Sequence, residues 1–212
     1  TLYNRVDIDA LQASQLSKAQ SRDVLGLPAD GWIVGNVGRL HPDKDQATLL
    51  RGFATALPSL PKNSYLVIVG VGRLEQALKQ LAEELGVSDR VLFLGQIPEA
   101  RRYFRAFDVF ALSSDHEPFG MVLLEAMAAG VPLLATACGG AKEVVEGVGI
   151  LFAQGSAEQL AQGLEHLAAL NDEQRQDCAR LMLERLRERF SDQAVRDAFW
   201  RLPQVTDLTA EV

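Results

Sequence analysis

After a polar opening, the chain settles into an alternation of short apolar runs and longer amphipathic ones. Runs of strand length fall at residues 32–37, 65–69, 91–94, 109–112, 131–135 and 149–152. Helical spacing fills the intervals, most clearly at 46–57, 74–85 and 120–129. Strands that are apolar on both faces need cover on both sides, and strands joined through helices run parallel. The pattern therefore predicts an α/β fold: a doubly wound, Rossmann-like parallel sheet of about six strands with helices on both faces.

Two further features frame that core. Ser17 opens a short helical segment over 17–25, closed by Gly26 and Pro28. From residue 157 onward the chain turns helical, over 157–170, 173–190 and about 193–200, with Asn171 and Ser191 placed as boundary and N-cap residues. This organisation implies a linker over residues 1–16, one domain over 17–203 and a loose polar tail over 204–212.

The 212 residues, 48% of them hydrophobic, suffice for one well-packed core and are few for two full domains. Charges of both signs are mixed along the chain, with a net charge of −7. A nucleic-acid face needs clustered Lys and Arg, so that class of partner is excluded, and a basic membrane-surface role is disfavoured for this part of the molecule. Cys138 and Cys178 are far apart and match no metal-ligand spacing, which suits a reducing, cytoplasmic setting. No signal peptide is legible in the opening residues, and the chain does not begin with Met, so a start inside a longer protein is expected. The apolar stretch 119–140 has transmembrane length but contains Glu125, several glycines and Pro132, and reads better as a buried helix followed by a buried strand.

Ligands of open α/β sheets bind outside the carboxyl ends of the strands. The residues hardest to explain as packing collect at those ends. The first strand runs into Gly38, Arg39, His41, Asp43 and Lys44, and the second into Gly70, Val71, Gly72 and Arg73. The third meets Gly95, Gln96 and Ile97, the fourth Ser113 to Gly120, and the fifth Cys138, Gly139 and Gly140. Glycines let backbone approach a ligand, helix N-termini offer free N–H groups, and Arg39 and Lys44 add two cations. Together these suit a diphosphate without a metal ion. The rival, dinucleotide binding, needs Gly-x-Gly-x-x-Gly after the first strand. The nearest match, Gly70-x-Gly72, follows the second and has Glu75 in the third glycine's place.

Arg39 to Asp45, the run Glu117-Pro118-Phe119-Gly120-Met121-Val122-Leu123-Leu124-Glu125 through Pro132, and Gly139-Gly140 with Glu143 resemble the C-terminal domain of retaining GT-B glycosyltransferases of family 4, the glycosyl transferases group 1. The resemblance covers about residues 4–152 in the family's order, and the closing helices fit it. Tyr3 to Asp7 looks like the segment that leaves the interdomain linker, with Arg5 where glycine is usual. Ser113 stands where proline is common, and Val71 where Asp is frequent.

The resemblance implies a nucleoside-diphosphate-sugar donor (of UDP, GDP or ADP type), a sugar or glycolipid acceptor, and no cofactor or metal. It also implies a separate N-terminal, acceptor-holding domain lying outside this chain; any membrane contact is expected of that half. Cell-envelope work such as lipopolysaccharide core assembly is within the family's range. Arg39 and Lys44 match the diphosphate-binding pair, and the amides of Gly120, Met121 and Val122 face the phosphates. Glu125 matches the ribose-binding carboxylate, and Glu117 lies beside the donor sugar as a catalytic-site residue whose role is base, nucleophile or electrostatic anchor, the anchor being favoured. Gly38 and Phe119 border the donor, while Gly70, Gly72, Gln96 and Ile97 lie where the base is pocketed; for these glycines a simple turn role competes evenly. His41 and His116 read as exposed or supporting residues, and Cys138 as packing. A nucleotide-sugar epimerase on the same scaffold, or a non-catalytic nucleotide-sugar-binding module, are the alternatives.

Overall fold

Among the described residues six strands pair entirely in parallel, in the order β3-β2-β1-β4-β5-β6. They are β1 (Trp32–Val37), β2 (Ser64–Val69), β3 (Val91–Gly95), β4 (Val109–Leu112), β5 (Leu133–Thr136) and β6 (Ile150–Phe152). The computed structural model describes residues 6–201, so the loose tail expected over 204–212 lies outside the described residues. Around the sheet lie α1 (Ile8–Ser14), α2 (Lys18–Leu25), α3 (Gln46–Ala56), α4 (Glu75–Glu84), α5 (Met121–Ala129), α6 (Gly139–Val145), α7 (Ala157–Ala168), α8 (Asp172–Phe190) and α9 (Asp192–Trp200). No helix among the described residues is long and apolar enough to cross a membrane.

Alternation along the strands sorts side chains into two cores. Ile33, Val67, Phe110 and Leu133 face one layer with Leu123, Met127, Met182 and Phe190 of α5 and α8. Val34, Ile68, Ala111 and Leu134 face the other with Leu49, Phe53, Leu160 and Leu164 of α3 and α7. This doubly covered sheet is what the continuous apolar runs require.

The predicted caps are present. Ser17 and Gln20 form a capping box at α2, Gly26 closes that helix in the left-handed conformation, and Asn171 with Gln174 forms a second box at α8. Ser191 caps α9. β5 begins at Leu133 rather than 131, because Pro132 has no N–H for the ladder; its carbonyl accepts from Phe110 N–H instead, at 2.9 Å.

Two helices go beyond the pattern. α1 forms within the polar opening, capped by Asp7 and held by Ile8 and Leu11 against the first core. α6 starts on Gly139-Gly140, residues that read as loop. Gly139 has φ of +44°, and a side chain there would fall on the Glu117 carbonyl, so glycine is what lets this helix start press against the loop after β4.

At the amino edge of the sheet a buried cluster fixes the central pairing. Arg22, 3% exposed, donates to the carbonyls of Ala106 and Ala29 and to Asp108 Oδ2 at 2.8 Å. The same oxygen accepts from the Ile33 N–H at 2.7 Å, and Lys18 reaches Oδ1 at 2.5 Å. Asp108 therefore ties the start of β1 to the start of β4.

Candidate active site

Strand order reverses between β1 and β4, which makes the crevice outside their carboxyl ends the topological switch point. The loops after β1 and β4 meet there. Leu40, 1% exposed, anchors the β1 loop in the second core. The loop lies against the β2 loop: Gly38 N–H donates to Val69 O at 2.9 Å and Leu40 N–H to Val71 O at 3.0 Å. Gly70 has φ of +141°, and a side chain there would strike the Gly38 carbonyl; Gly72 packs in the same way on Leu40. Close approach at these glycines is thus to the chain's own backbone.

A short 3-10 turn at Pro42–Lys44 follows, and Asp45, at φ +40°, caps α3 by accepting from Thr48 N–H. Lys44 turns inward. Its Nζ lies 2.6 Å from Glu117 Oε2, and both side chains are largely buried, 18% and 10% exposed. Ser114 Oγ donates to the same carboxylate oxygen at 3.4 Å, and Gly140 N–H donates to the Glu117 carbonyl at 3.0 Å. Arg39 behaves differently. Its side chain is 74% exposed, and among the described residues its guanidinium faces only the Asp43 carboxylate of its own turn, at 3.9 Å. The two cations share one loop, one held and one reaching outward.

Gly120, buried at φ +86°, opens α5 without a side-chain cap, so the first amides of the helix have no capping oxygen. A side chain at Gly120 would meet Leu123 and, at 3.4 Å, the Cγ of Glu117, so the helix start lies beside the Lys44–Glu117 pair. Met121 is exposed at the rim. Phe119 and Val122 turn their side chains into the first core, Phe119 edge-on to Phe190 with centroids 5.8 Å apart.

Glu125, in the second turn of α5, lines a cavity of about 280 Å³ with Met121, Arg101, Asp7 and Ser14. Burial pushes its carboxyl above the usual range, and Glu99 adds to this while Arg101 opposes it. Gln96 is exposed just after β3, and Ile97 is partly buried against the first core. His116 is exposed, and His41 pairs with Asp43. Cys138 donates its thiol to Ser114 O at 3.0 Å; burial raises its pKa, and the Glu117 and Asp115 charges raise it further. Among the described residues, no three His, Cys, Asp or Glu side chains are gathered where they could share a metal ion.

Sequence reasoning placed Ser113 and Ser114 in a site loop without giving them a role, and passed over Gln46 and Arg101. Ser113 Oγ donates to Lys44 O at 2.9 Å and Gln46 Nε2 to Arg39 O at 3.0 Å. The signal for the serines was two polar residues closing a strand that is otherwise fully apolar. Arg101 had none, since it lies in a 3-10 segment without periodicity.

Residues 17–182 match the family model described as glycosyl transferases group 1. The chain belongs to this family. The lipopolysaccharide core biosynthesis glycosyltransferase LpsE of Rhizobium meliloti (strain 1021) is 36% identical over 186 residues, covering 87% of this chain and 53% of that protein. The crystal structure of Anabaena Alr3699/HepE in complex with UDP superposes with a TM-score of 0.82 at 27% identity, over all of this chain and 57% of that one. Its complex with UDP-glucose gives 0.80. WaaG, a glycosyltransferase involved in lipopolysaccharide biosynthesis, gives 0.77 at 25% identity, over 95% of this chain and 55% of that one. The group 1 chain thus spans about half the length of these relatives, and its sheet is one Rossmann-like half of the GT-B architecture.

Proposed function

We propose that this domain binds the nucleoside diphosphate of a sugar donor, most simply UDP, at the switch-point crevice. In the intact protein the sugar passes to an acceptor hydroxyl with retention at the anomeric carbon. The observation that carries the reading is the Lys44–Glu117 pair, 2.6 Å apart, set against the uncapped start of α5. Binding of UDP and UDP-glucose by HepE, the same fold at 27% identity, supports the donor type.

In this reading Lys44 and Arg39 stabilise the negative charge that grows on the diphosphate as its bond to the sugar breaks. The amides of Gly120, Met121 and Val122 donate to phosphate oxygens. Glu117 anchors sugar hydroxyls and the positive character of the reacting carbon, and Glu125 accepts from the ribose. Gly38 and Phe119 border the donor through their backbone, and Gly70, Gly72, Gln96 and Ile97 border the base. Two cations and the helix amides supply the neutralisation a metal would otherwise give, so the reaction is metal-independent, which unchanged turnover in EDTA would bear out. The acceptor sits on a further domain outside residues 17–203, and the 1–16 segment is the linker to it. Similarity to LpsE and WaaG favours a sugar or glycolipid acceptor of lipopolysaccharide type, modified on the cytoplasmic side.

Saturation-transfer NMR of this chain against UDP, GDP and ADP tests the reading. A clear UDP signal is expected; a folded sample silent towards all three would defeat it.

A further inference from the structure

Two successive carbonyls of the turn that carries Lys44 are tied to the loop after β4. The Asp43 carbonyl accepts from Asp115 N–H at 2.9 Å, and the Lys44 carbonyl accepts from Ser113 Oγ, also at 2.9 Å. The first bond is made by backbone and is open to almost any residue. The second depends on the Ser113 side chain, which is fully buried at the carboxyl end of β4. The adjacent Ser114 donates to Glu117 Oε2 at 3.4 Å. Neighbouring serines therefore hold opposite members of the ion pair, one through the backbone beneath the cation and the other at the anion itself.

The tether falls where the backbone is hardest to hold. Lys44 ends its 3-10 turn, and Asp45 follows at φ +40°, a left-handed conformation that persists for a non-glycine residue only when its surroundings fix it. A hydrogen bond to the Lys44 carbonyl fixes the peptide plane between these two residues. It thereby aims the Lys44 side chain, whose four-carbon stem would otherwise sweep a wide arc.

We propose that Ser113 is a positioning residue: by holding the Lys44 carbonyl it sets where the ammonium stands for the diphosphate. The proposal rests on the donor-site reading above.

Calorimetric titration of UDP into this chain and its Ser113→Ala, Lys44→Gln and doubly substituted forms tests it, with uridine followed in parallel by ligand-observed NMR. Ser113→Ala is expected to raise the UDP Kd about fivefold, the scale of one buried hydrogen bond. It should leave uridine binding within about twofold and add nothing once Lys44 is Gln. Ser113→Cys, which fills the space with a weaker donor, should lose less than Ala and serves if the Ala form does not fold. Equal losses for UDP and uridine, or additive losses with Lys44→Gln, would assign Ser113 to general structure and overturn the proposal. So would unchanged UDP binding in Ser113→Ala when Lys44→Gln weakens it. Unchanged UDP binding in Lys44→Gln would instead bring down the donor-site reading, and the proposal with it.

Discussion

The Lys44 ammonium lies 2.6 Å from the Glu117 carboxylate, so the cation proposed to meet the diphosphate has a counter-charge within the chain itself. An arriving phosphate competes with Glu117 for the same ammonium and also feels the carboxylate's repulsion. Glu117→Gln removes both effects. The UDP Kd should fall about tenfold, measured calorimetrically, while sugar transfer by the intact enzyme drops. Weaker UDP binding in this variant would contradict the pairing argument.

Arg39 gives the opposite separation of stability from binding. Its side chain is 74% exposed with only a 3.9 Å approach to Asp43, so Arg39→Ala should change folding stability by no more than about 0.5 kcal/mol. UDP binding should weaken about tenfold as a charge-assisted contact is lost. A wild-type titration curve for this variant would remove Arg39 from the site.

Glu125 carries a cost that its proposed role explains. Burial, helped by Glu99 and opposed by Arg101, raises its pKa, so the folded state takes up a proton more readily than the unfolded chain. The ionised form therefore lowers stability above the folded pKa, and this penalty fades as pH falls from the folded pKa to the unfolded value of about 4.3. Glu125→Gln should melt higher than the parent near pH 7, and the two should converge towards about pH 4. The same variant should bind UDP more weakly. A lower melting temperature at neutral pH would show that the carboxylate is paired rather than held in reserve for a ligand.

At the other edge of the sheet, Asp108→Ala strands the buried Arg22 charge and the Ile33 amide together. Urea denaturation should show a loss of about 3–5 kcal/mol. A loss below about 1 kcal/mol would mean that solvent reaches Arg22 and that the cluster does not secure β1 to β4.

Most of the architecture was legible because parallel strands covered on both faces leave unbroken apolar runs, and because Ser17, Asn171 and Ser191 mark helix starts chemically. α6 was hidden by its opening glycines, which are there for contact with the Glu117 carbonyl rather than for a turn. α1 was hidden because only Ile8 and Leu11 of its seven residues are buried, too few to show a period. For the site, charge and position at the strand ends singled out Lys44 and Arg39, and the family resemblance singled out Glu117. No sequence pattern, however, distinguishes a cation held at 2.6 Å from one pointing to solvent, so Lys44 and Arg39 looked alike. Phe119 and Val122 were singled out for their place in a motif; their side chains pack against the first core, Phe119 edge-on to Phe190 of α8.

The central pairing of β1 with β4 has a kinetic consequence. Ile33 and Asp108 are 75 positions apart, with β2 and β3 emerging between them. During synthesis the first three strands can assemble while the inner edge of β1 still lacks its neighbour, leaving a row of unpaired amides beside buried-type side chains. The crevice is therefore among the last features to close. A chain halted before residue 109 would be an aggregation-prone half-sheet, a species for chaperones to shelter.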